Sequence, residues 1–309
     1  MKVFYTDKYT VELPVGHRFP MGKYRLVREA LLEEGILTHN ELYEPEIVSP
    51  EVVTLAHTRK YVESICNGTI EPKAMRRIGF PWSPSLVIRS LASVGGALCA
   101  AKEALESGIS GNLAGGTHHA LINAGEGYCV FNDIAVVILY LLKHKKIRRA
   151  AIVDLDVHQG NGNSAILGQQ KEVFIFSMHG EKNYPFHKVA STLDIGLADN
   201  TSDDEYLALL KEALPKVFDF APDIVFFQAG VDPLKEDVLG RLALSKEGLA
   251  ERDRLVLYEC QKRNIPVSLA LGGGYAKPIE LTIVAHTQTY QIAKELFPNT
   301  VRGTANQGL

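Results

Sequence analysis

This chain is short of the features that most readily assign a protein to a class. Its four cysteines, Cys66, Cys99, Cys129 and Cys260, are scattered with no C-x-x-C pair. That argues against a thiolate zinc site or a disulfide framework and for small buried hydrophobes in a reducing compartment. No sign of charge dominates: the net charge is −3, so general nucleic-acid binding, which depends on Lys and Arg neutralising phosphates, is not expected. Long apolar runs are missing too. The longest, Ile134 to Leu142, is about half of what a bilayer-spanning helix requires, and no membrane span is expected. The N-terminal Met1-Lys2-Val3-Phe4-Tyr5 turns polar at once, without the apolar core of a signal peptide. These absences predict a soluble, cytoplasmic protein.

Catalytic signatures are also missing. No G-x-S-x-G elbow, Walker A loop or G-x-G-x-x-G follows an apolar run, and the triple glycine Gly272–Gly274 lacks the Lys-Ser/Thr of a phosphate cradle. No internal repeat, low-complexity block or Pro/Ser linker divides the 309 residues. One domain over residues 1–297 is expected, followed by a polar, glycine-containing tail at 298–309.

What is present is a large apolar fraction, 46% against 22% charged, enough for a sizeable core. Short apolar runs at Val3–Tyr5, Asn112–Ala114, Ala150–Leu155, Val173–Met178, Asp223–Gln228 and Pro266–Leu271 alternate with amphipathic stretches. The helical patterns cover Lys23–Glu34, Pro84–Ser107, Asn132–Lys145, Ser202–Phe218, Ser245–Lys262 and Ala276–Leu296. Strand–helix alternation with uniformly apolar strands predicts an α/β fold, a parallel sheet covered on both faces. In such sheets ligands bind at the carboxyl ends of the strands. Four of those ends carry glycine together with polar chemistry: Gly115-Gly116-Thr117-His118-His119, Asp156-x-His158-Gln159-Gly160-Asn161-Gly162, Ala229-Gly230-Val231-Asp232-Pro233 and Gly272-Gly273-Gly274-Tyr275.

The stretch Ile152-Val153-Asp154-Leu155-Asp156-Val157-His158 is the sharpest of these. A lone carboxylate in an apolar run is costly, and two of them followed at the same spacing by a histidine call for a divalent cation. Residues at i and i+2 of a strand point the same way, so Asp156 and His158 can share one ion. Asp232, after an apolar strand and a turn-permitting glycine, is the third candidate ligand, although such an aspartate before Pro233 is also an ordinary turn or cap residue. An Asp₂His set suits Zn²⁺, with Fe²⁺ or Co²⁺ feasible, and leaves a position open for water. His118 and His119 fit either a solvated loop or, beside a metal, acid–base machinery. Asp154 fits a structural buried carboxylate or an orienter of one histidine, and the two roles merge. Tyr275 fits a surface turn or a phenol donating to a developing oxyanion. Taken together, the residues describe a metal-assisted amidohydrolase.

The motifs Gly116-Thr117-His118-His119, Asp154-Leu155-Asp156-Val157-His158-Gln159-Gly160-Asn161-Gly162, Ala229-Gly230-Val231-Asp232 and Gly273-Gly274-Tyr275 resemble those of the zinc-dependent histone deacetylase superfamily. The resemblance runs from Tyr5 to about Phe297. Leu13-Pro14-x-Gly16-His17-Arg18-Phe19-Pro20-Met21, the His-Gln-Gly-Asn-Gly run, Leu193-Asp194-Ile195 and Asp204-Glu205-Tyr206 make it most similar to class IV enzymes and their bacterial relatives. It implies a single-domain, three-layer α/β/α arginase/deacetylase fold with a central, mainly parallel, eight-stranded sheet. It places zinc on Asp156, His158 and Asp232, and makes Tyr275 the carbonyl polariser. His119 becomes the general base and acid, with His118 paired to Asp154 beside it. It further implies potassium at Asp154, Asp156, His158, Ser177 and Met178, and an acyl-lysine channel lined by Gly127, Tyr128, Gly273 and Tyr184. Class I members carry aspartate where this chain has Asn161; a neutral partner stabilises imidazolium less, so His119 is expected to titrate lower here.

Acyl-lysine peptides or proteins are the expected substrates, with the acyl length open from acetyl to long fatty chains. Deacetylation of small acetylated amines such as acetylpolyamines is the alternative, and a non-catalytic acyl-lysine reader is a remote one. A two-manganese arginase-like site fits the same fold, but Asn161 and the single Asp232 speak against it.

Overall fold

A computed structural model describes residues 1–298, and apart from its first residue the expected polar tail at 298–309 lies outside the described residues. The strands are β1 (Val3–Phe4), β2 (Leu42–Tyr43), β3 (Ile109–Asn112), β4 (Ala150–Asp154), β5 (Val173–Gly180), β6 (Leu193–Leu197), β7 (Ile224–Gln228) and β8 (Val267–Ala270). They form one eight-stranded sheet in the order β2-β1-β3-β8-β7-β4-β5-β6. Every neighbouring pair is parallel, so the sheet is wholly rather than mainly parallel. All residues of β3, β4, β7 and β8 are buried, as expected where helices cover both faces.

Ten α-helices accompany it among the described residues: α1 (Lys23–Glu33), α2 (Pro50–Val53), α3 (Arg59–Cys66), α4 (Pro72–Ile78), α5 (Pro84–Ser107), α6 (Asp133–Lys143), α7 (Asn161–Leu167), α8 (Asp203–Asp219), α9 (Lys246–Lys262) and α10 (Ile279–Leu296). Nine of them pack in two groups, α2, α3 and α6 around α5 with α7 against α6, and α1, α10, α9 and α8 in series. The starts follow from local chemistry: Ser83, Asn132 and Ser245 accept hydrogen bonds from the backbone N–H groups of Leu86, Ala135 and Gly248, satisfying donors that a helix N-terminus leaves free. Helix α5 is long and apolar enough to cross a bilayer by composition, which a search for unbroken apolar runs overlooks; 72% of its most apolar window is buried inside the protein, as a core helix requires.

Two strand predictions need correction. The run at Asn112–Ala114 marks the end of β3, which spans Ile109–Asn112; Leu113 and Ala114 are buried but lie past the pairing. Ala150–Leu155 stops as a strand at Asp154. Asp156 and His158 therefore sit in a bend beyond the sheet, not on a pleat: the His158 N–H donates to Asp156 Oδ1 at 3.0 Å, and this turn brings the two side chains together. Strands β2 and β6 were not predicted. The first has two residues, and the second is an edge strand whose Asp194 and Gly196 interrupt its apolar pattern.

The sheet order gives the topology its functional meaning. The four strands that end in unusual chemistry, β3, β8, β7 and β4, are consecutive in the sheet, so their carboxyl ends open onto one place.

Near that place His57 is 3% exposed, and it stands between two backbone partners. Its Nδ1–H donates to the Leu121 carbonyl at 2.8 Å while Nε2 accepts the Asn132 N–H at 2.9 Å. Both contacts require the neutral ring, and burial pushes its pKa down from the usual 6.5 to about 4. Between those values the unfolded chain binds the extra proton, so this contribution is complete above pH 6.5 and fades as pH falls toward 4. The expected loss is about 3 kcal/mol. Urea midpoints of wild type and His57→Gln between pH 7 and 4 check this; parallel curves would remove His57 as the cause.

Candidate active site

The end of β3 runs through Gly115 and Gly116, both at positive φ, into His118-His119. Asp133, the first residue of α6, clamps this loop by accepting the N–H groups of Gly116 and Thr117, each at 2.9 Å. Gln228 at the end of β7 donates to the Gly116 carbonyl at 2.9 Å. Each clamp is a buried side chain satisfying a backbone group, as buried polar atoms must.

Asp156, His158 and Asp232 converge, with their ligand atoms within 4.8 Å of one another and all three buried. His158 Nδ1 lies 3.0 Å from both Asp156 Oδ1 and Asp232 Oδ2. The carboxylates are held from behind: Asp156 Oδ2 accepts the Gly273 N–H at 2.7 Å, and Asp232 Oδ1 accepts the Val157 N–H at 2.8 Å. A Cβ on Gly273 would fall inside the Asp232 carboxylate, and one on Gly230 inside that of Asp156. In the bare protein two buried carboxylates crowd one imidazole. Burial and then Asp156 push Asp232 up to about 7; burial opposes charge on His158, but the two carboxylates lift it to about 10. A bound cation would relieve the same repulsion. Two hard oxygens and one imidazole nitrogen suit Zn²⁺, Fe²⁺ or Co²⁺, and the residues fit such an ion.

The two histidines are held differently. His118 Nδ1–H donates to Asp154 Oδ2 at 2.7 Å, and although burial disfavours its charge, Asp154 and Asp156 raise its pKa to about 9. His119 is pushed well below the usual imidazole range, first by burial and then by the positive fields of His118 and His158. The hydrogen bond to Asn161 raises the value but does not offset them.

The tautomer of His119 follows from a residue that sequence reasoning missed. Glu126, 4% exposed, accepts a hydrogen bond from Asn161 Nδ2 at 2.8 Å and an ion pair from Arg77. A carboxylate only accepts, so the Asn161 amide must turn its nitrogen to Glu126 and its Oδ1 to His119. His119 Nδ1, 2.8 Å from that oxygen, is therefore the protonated nitrogen, and Nε2 keeps a free lone pair. In the sequence Glu126 is one charge in a glycine-flanked turn, and nothing marks it.

Lys23 was missed for a similar reason, since the first residue of an amphipathic helix reads as a surface lysine. It is 1% exposed, donates to the Gly272 carbonyl at 2.9 Å and lies 5.1 Å from the centre of the Tyr275 ring. Burial lowers its pKa to about 8 against the pull of Asp232 and Asp156. Asp237 completes the clamp by accepting the Tyr275 N–H at 2.6 Å.

His118, His119, Asp156, His158, Asn161, Gly127, Tyr128, Tyr184, Gly273 and Tyr275 all line one cavity of about 890 Å³, which runs from the exposed Phe186 to buried Tyr24 and Arg89. Tyr128 has φ 65, a conformation rare outside glycine, and its N–H bonds to Ile78 at 2.7 Å, folding the ring into the wall. Asp154, Asp232, Ser177 and Met178 lie deeper, Ser177 opposite Asp154 in the β4–β5 register and Met178 next to it.

The Histone deacetylase domain family matches residues 17–291. A Picosynechococcus protein described as uncharacterized is 42% identical over 96% of this chain and 99% of its own. Histone deacetylase 2 of Arabidopsis thaliana is 31% identical over 90% of this chain and 75% of its own. The crystal structure of a histone deacetylase homologue from Aquifex aeolicus matches with a TM-score of 0.78 at 25% identity, over 96% of this chain and 88% of that one. The HDA15 HD domain superposes with a TM-score of 0.79 at 18% identity, covering 96% and 95%, which speaks to the fold.

Proposed function

Since this chain belongs to the histone deacetylase family, we propose that it hydrolyses the amide bond of Nε-acyl-lysine in peptides or proteins as a zinc enzyme, nearest in kind to class IV. Membership makes it a hydrolase of the deacetylase type. The observation that carries the finer reading is the convergence on one cavity of the Asp156–His158–Asp232 cluster, a His119 with its Nε2 lone pair free, and Tyr275.

Zinc held by Asp156, His158 and Asp232 would supply Lewis acidity to the scissile carbonyl and to the attacking water. His119 Nε2 takes one proton from that water as its oxygen bonds to the carbonyl carbon. The same imidazolium returns the proton to the lysine nitrogen as the C–N bond breaks, and the water's second proton passes from the new carboxylic acid to the amine, leaving a carboxylate and a lysine ammonium. His118, charged and tied to Asp154, lies beside it with ring centres 4.2 Å apart and offsets the developing negative charge. Burial, then Asp232 and Asp156, raise Tyr275 well above its usual pKa, so it stays a protonated donor to the oxyanion. Potassium is proposed between the ends of β4 and β5, at Asp154, Asp156, His158, Ser177 and Met178. The buried inner end of the cavity, around Phe19 and Tyr24, would receive the acyl chain.

Initial rates on one lysine peptide carrying an acetyl or a myristoyl group, with His119→Ala as background, test this. Turnover of either supports the reading and ranks acyl length; turnover of acetylpolyamines alone would replace it. Metal removal offers a second check. Chelation is expected to abolish turnover and zinc to restore it, with stability rising by about 4 kcal/mol at a thousandfold excess over Kd. Asp232→Ala should lose both responses; a full zinc-induced rise in its Tm would sink the ligand assignment.

A further inference from the structure

The mouth of the cavity has the opposite charge to the chain as a whole. The net charge is −3, yet Arg76, Arg77, Lys182 and Arg241 all line the cavity and all are exposed. Two carboxylates answer them: Glu126 pairs with Arg77, and Asp199 lies 3.3 Å from Arg241 and 3.8 Å from Lys182. Among the described residues no carboxylate lies within ion-pair distance of Arg76. Four cations against two carboxylates leave two positive charges facing solvent around the opening. Phe186, 80% exposed, adds an apolar surface to the same rim.

An acyl-lysine side chain is uncharged, so the charges a substrate brings to this rim come from the residues flanking it. We infer that the protein selects acyl-lysine in acidic surroundings, that is, peptide segments with Asp or Glu within a few residues of the modified lysine; this rests on the deacylase reading above. Complementary charge raises encounter rates and disfavours wrong partners. At physiological salt the field reaches about 8 Å, which confines the preference to near neighbours of the lysine. Polycations are repelled by the same rim, both lysine-rich tails and acetylpolyamines.

The test uses one acyl-lysine core flanked by Asp, by Ala and Gly, or by Lys. At about 20 mM salt kcat/KM is expected to fall in that order, with about a tenfold step between the acidic and basic peptides, shrinking at about 500 mM salt. The double variant Arg76→Glu/Lys182→Glu should invert the ranking. Fluorescence anisotropy of the same peptides on the His119→Ala protein reads the rim without turnover and should give the same order in Kd. A flat or reversed ranking in both wild-type kcat/KM and Kd overturns the inference while leaving the deacylase reading intact. Absence of turnover of every acyl-lysine peptide, with the acidic peptide still bound best, would instead overturn the deacylase reading and keep the acidic partner.

Discussion

Replacing His119 with alanine is expected to lower kcat/KM about 10²- to 10⁴-fold, the usual worth of a positioned general base, with zinc content unchanged. The ring makes one hydrogen bond, to Asn161 at 2.8 Å, and ligates nothing, so its loss should spare the Asp156–His158–Asp232 cluster. A variant retaining more than a tenth of the activity would show that another group takes the proton. The pH profile carries the finer test. As the proposed general base His119 would act with Nε2 unprotonated, so activity is expected to fall where the ring gains a proton, and its depressed pKa puts that acid limb below the usual imidazole range. An anion at position 161 should move the limb up. Asn161→Asp alone would set two carboxylates against each other, because Glu126 already lies 2.8 Å from Asn161 Nδ2. Adding Glu126→Gln restores a donor there; an acid limb of Asn161→Asp/Glu126→Gln that coincides with wild type would contradict the assignment.

Tyr275→Phe is expected to lower kcat by about 10²- to 10³-fold, about 3–4 kcal/mol, with KM nearly unchanged, because the hydroxyl is asked to bond an oxygen that becomes anionic only in the transition state. Its ring is held by contacts the substitution leaves alone: Lys23 at 5.1 Å, Phe19 at 6.1 Å and the backbone bond to Asp237. A loss confined to KM would mean that Tyr275 binds the ground state. A parallel fall in zinc content would mean that the loop, not the hydroxyl, was disturbed.

The sheet and the first ring of chemistry were legible because both leave local marks. An all-buried parallel strand is an apolar run, and a carboxylate or imidazole at its end stands out against it, so the meeting of Asp156, His158, Asp232, His119 and Tyr275 in one place could be expected from sequence. Pattern reading failed where the mark was short or distant. Helices α2, α3, α4 and α7 have at most eight residues, about two turns or fewer, too few to display a period. Glu126 and Lys23 carry ordinary side chains in ordinary local contexts; their meaning comes from Asn161, 35 positions on, and Gly272, 249 positions on. The bend that joins Asp156 to His158 was hidden for the opposite reason, since strand alternation and a tight turn both place i and i+2 together.

Gly230 and Gly273 leave no room beside the Asp156 and Asp232 carboxylates, and this bears on how the protein can change. Scanning by truncation to alanine is blind at these positions, where alanine adds atoms instead of removing them. Random libraries across the pocket should therefore yield survivors that keep both glycines while Phe19, Tyr24 and Leu121 drift. A redesign of the pocket has its freedom along that aromatic and aliphatic wall and almost none within a methyl group of those two carboxylates.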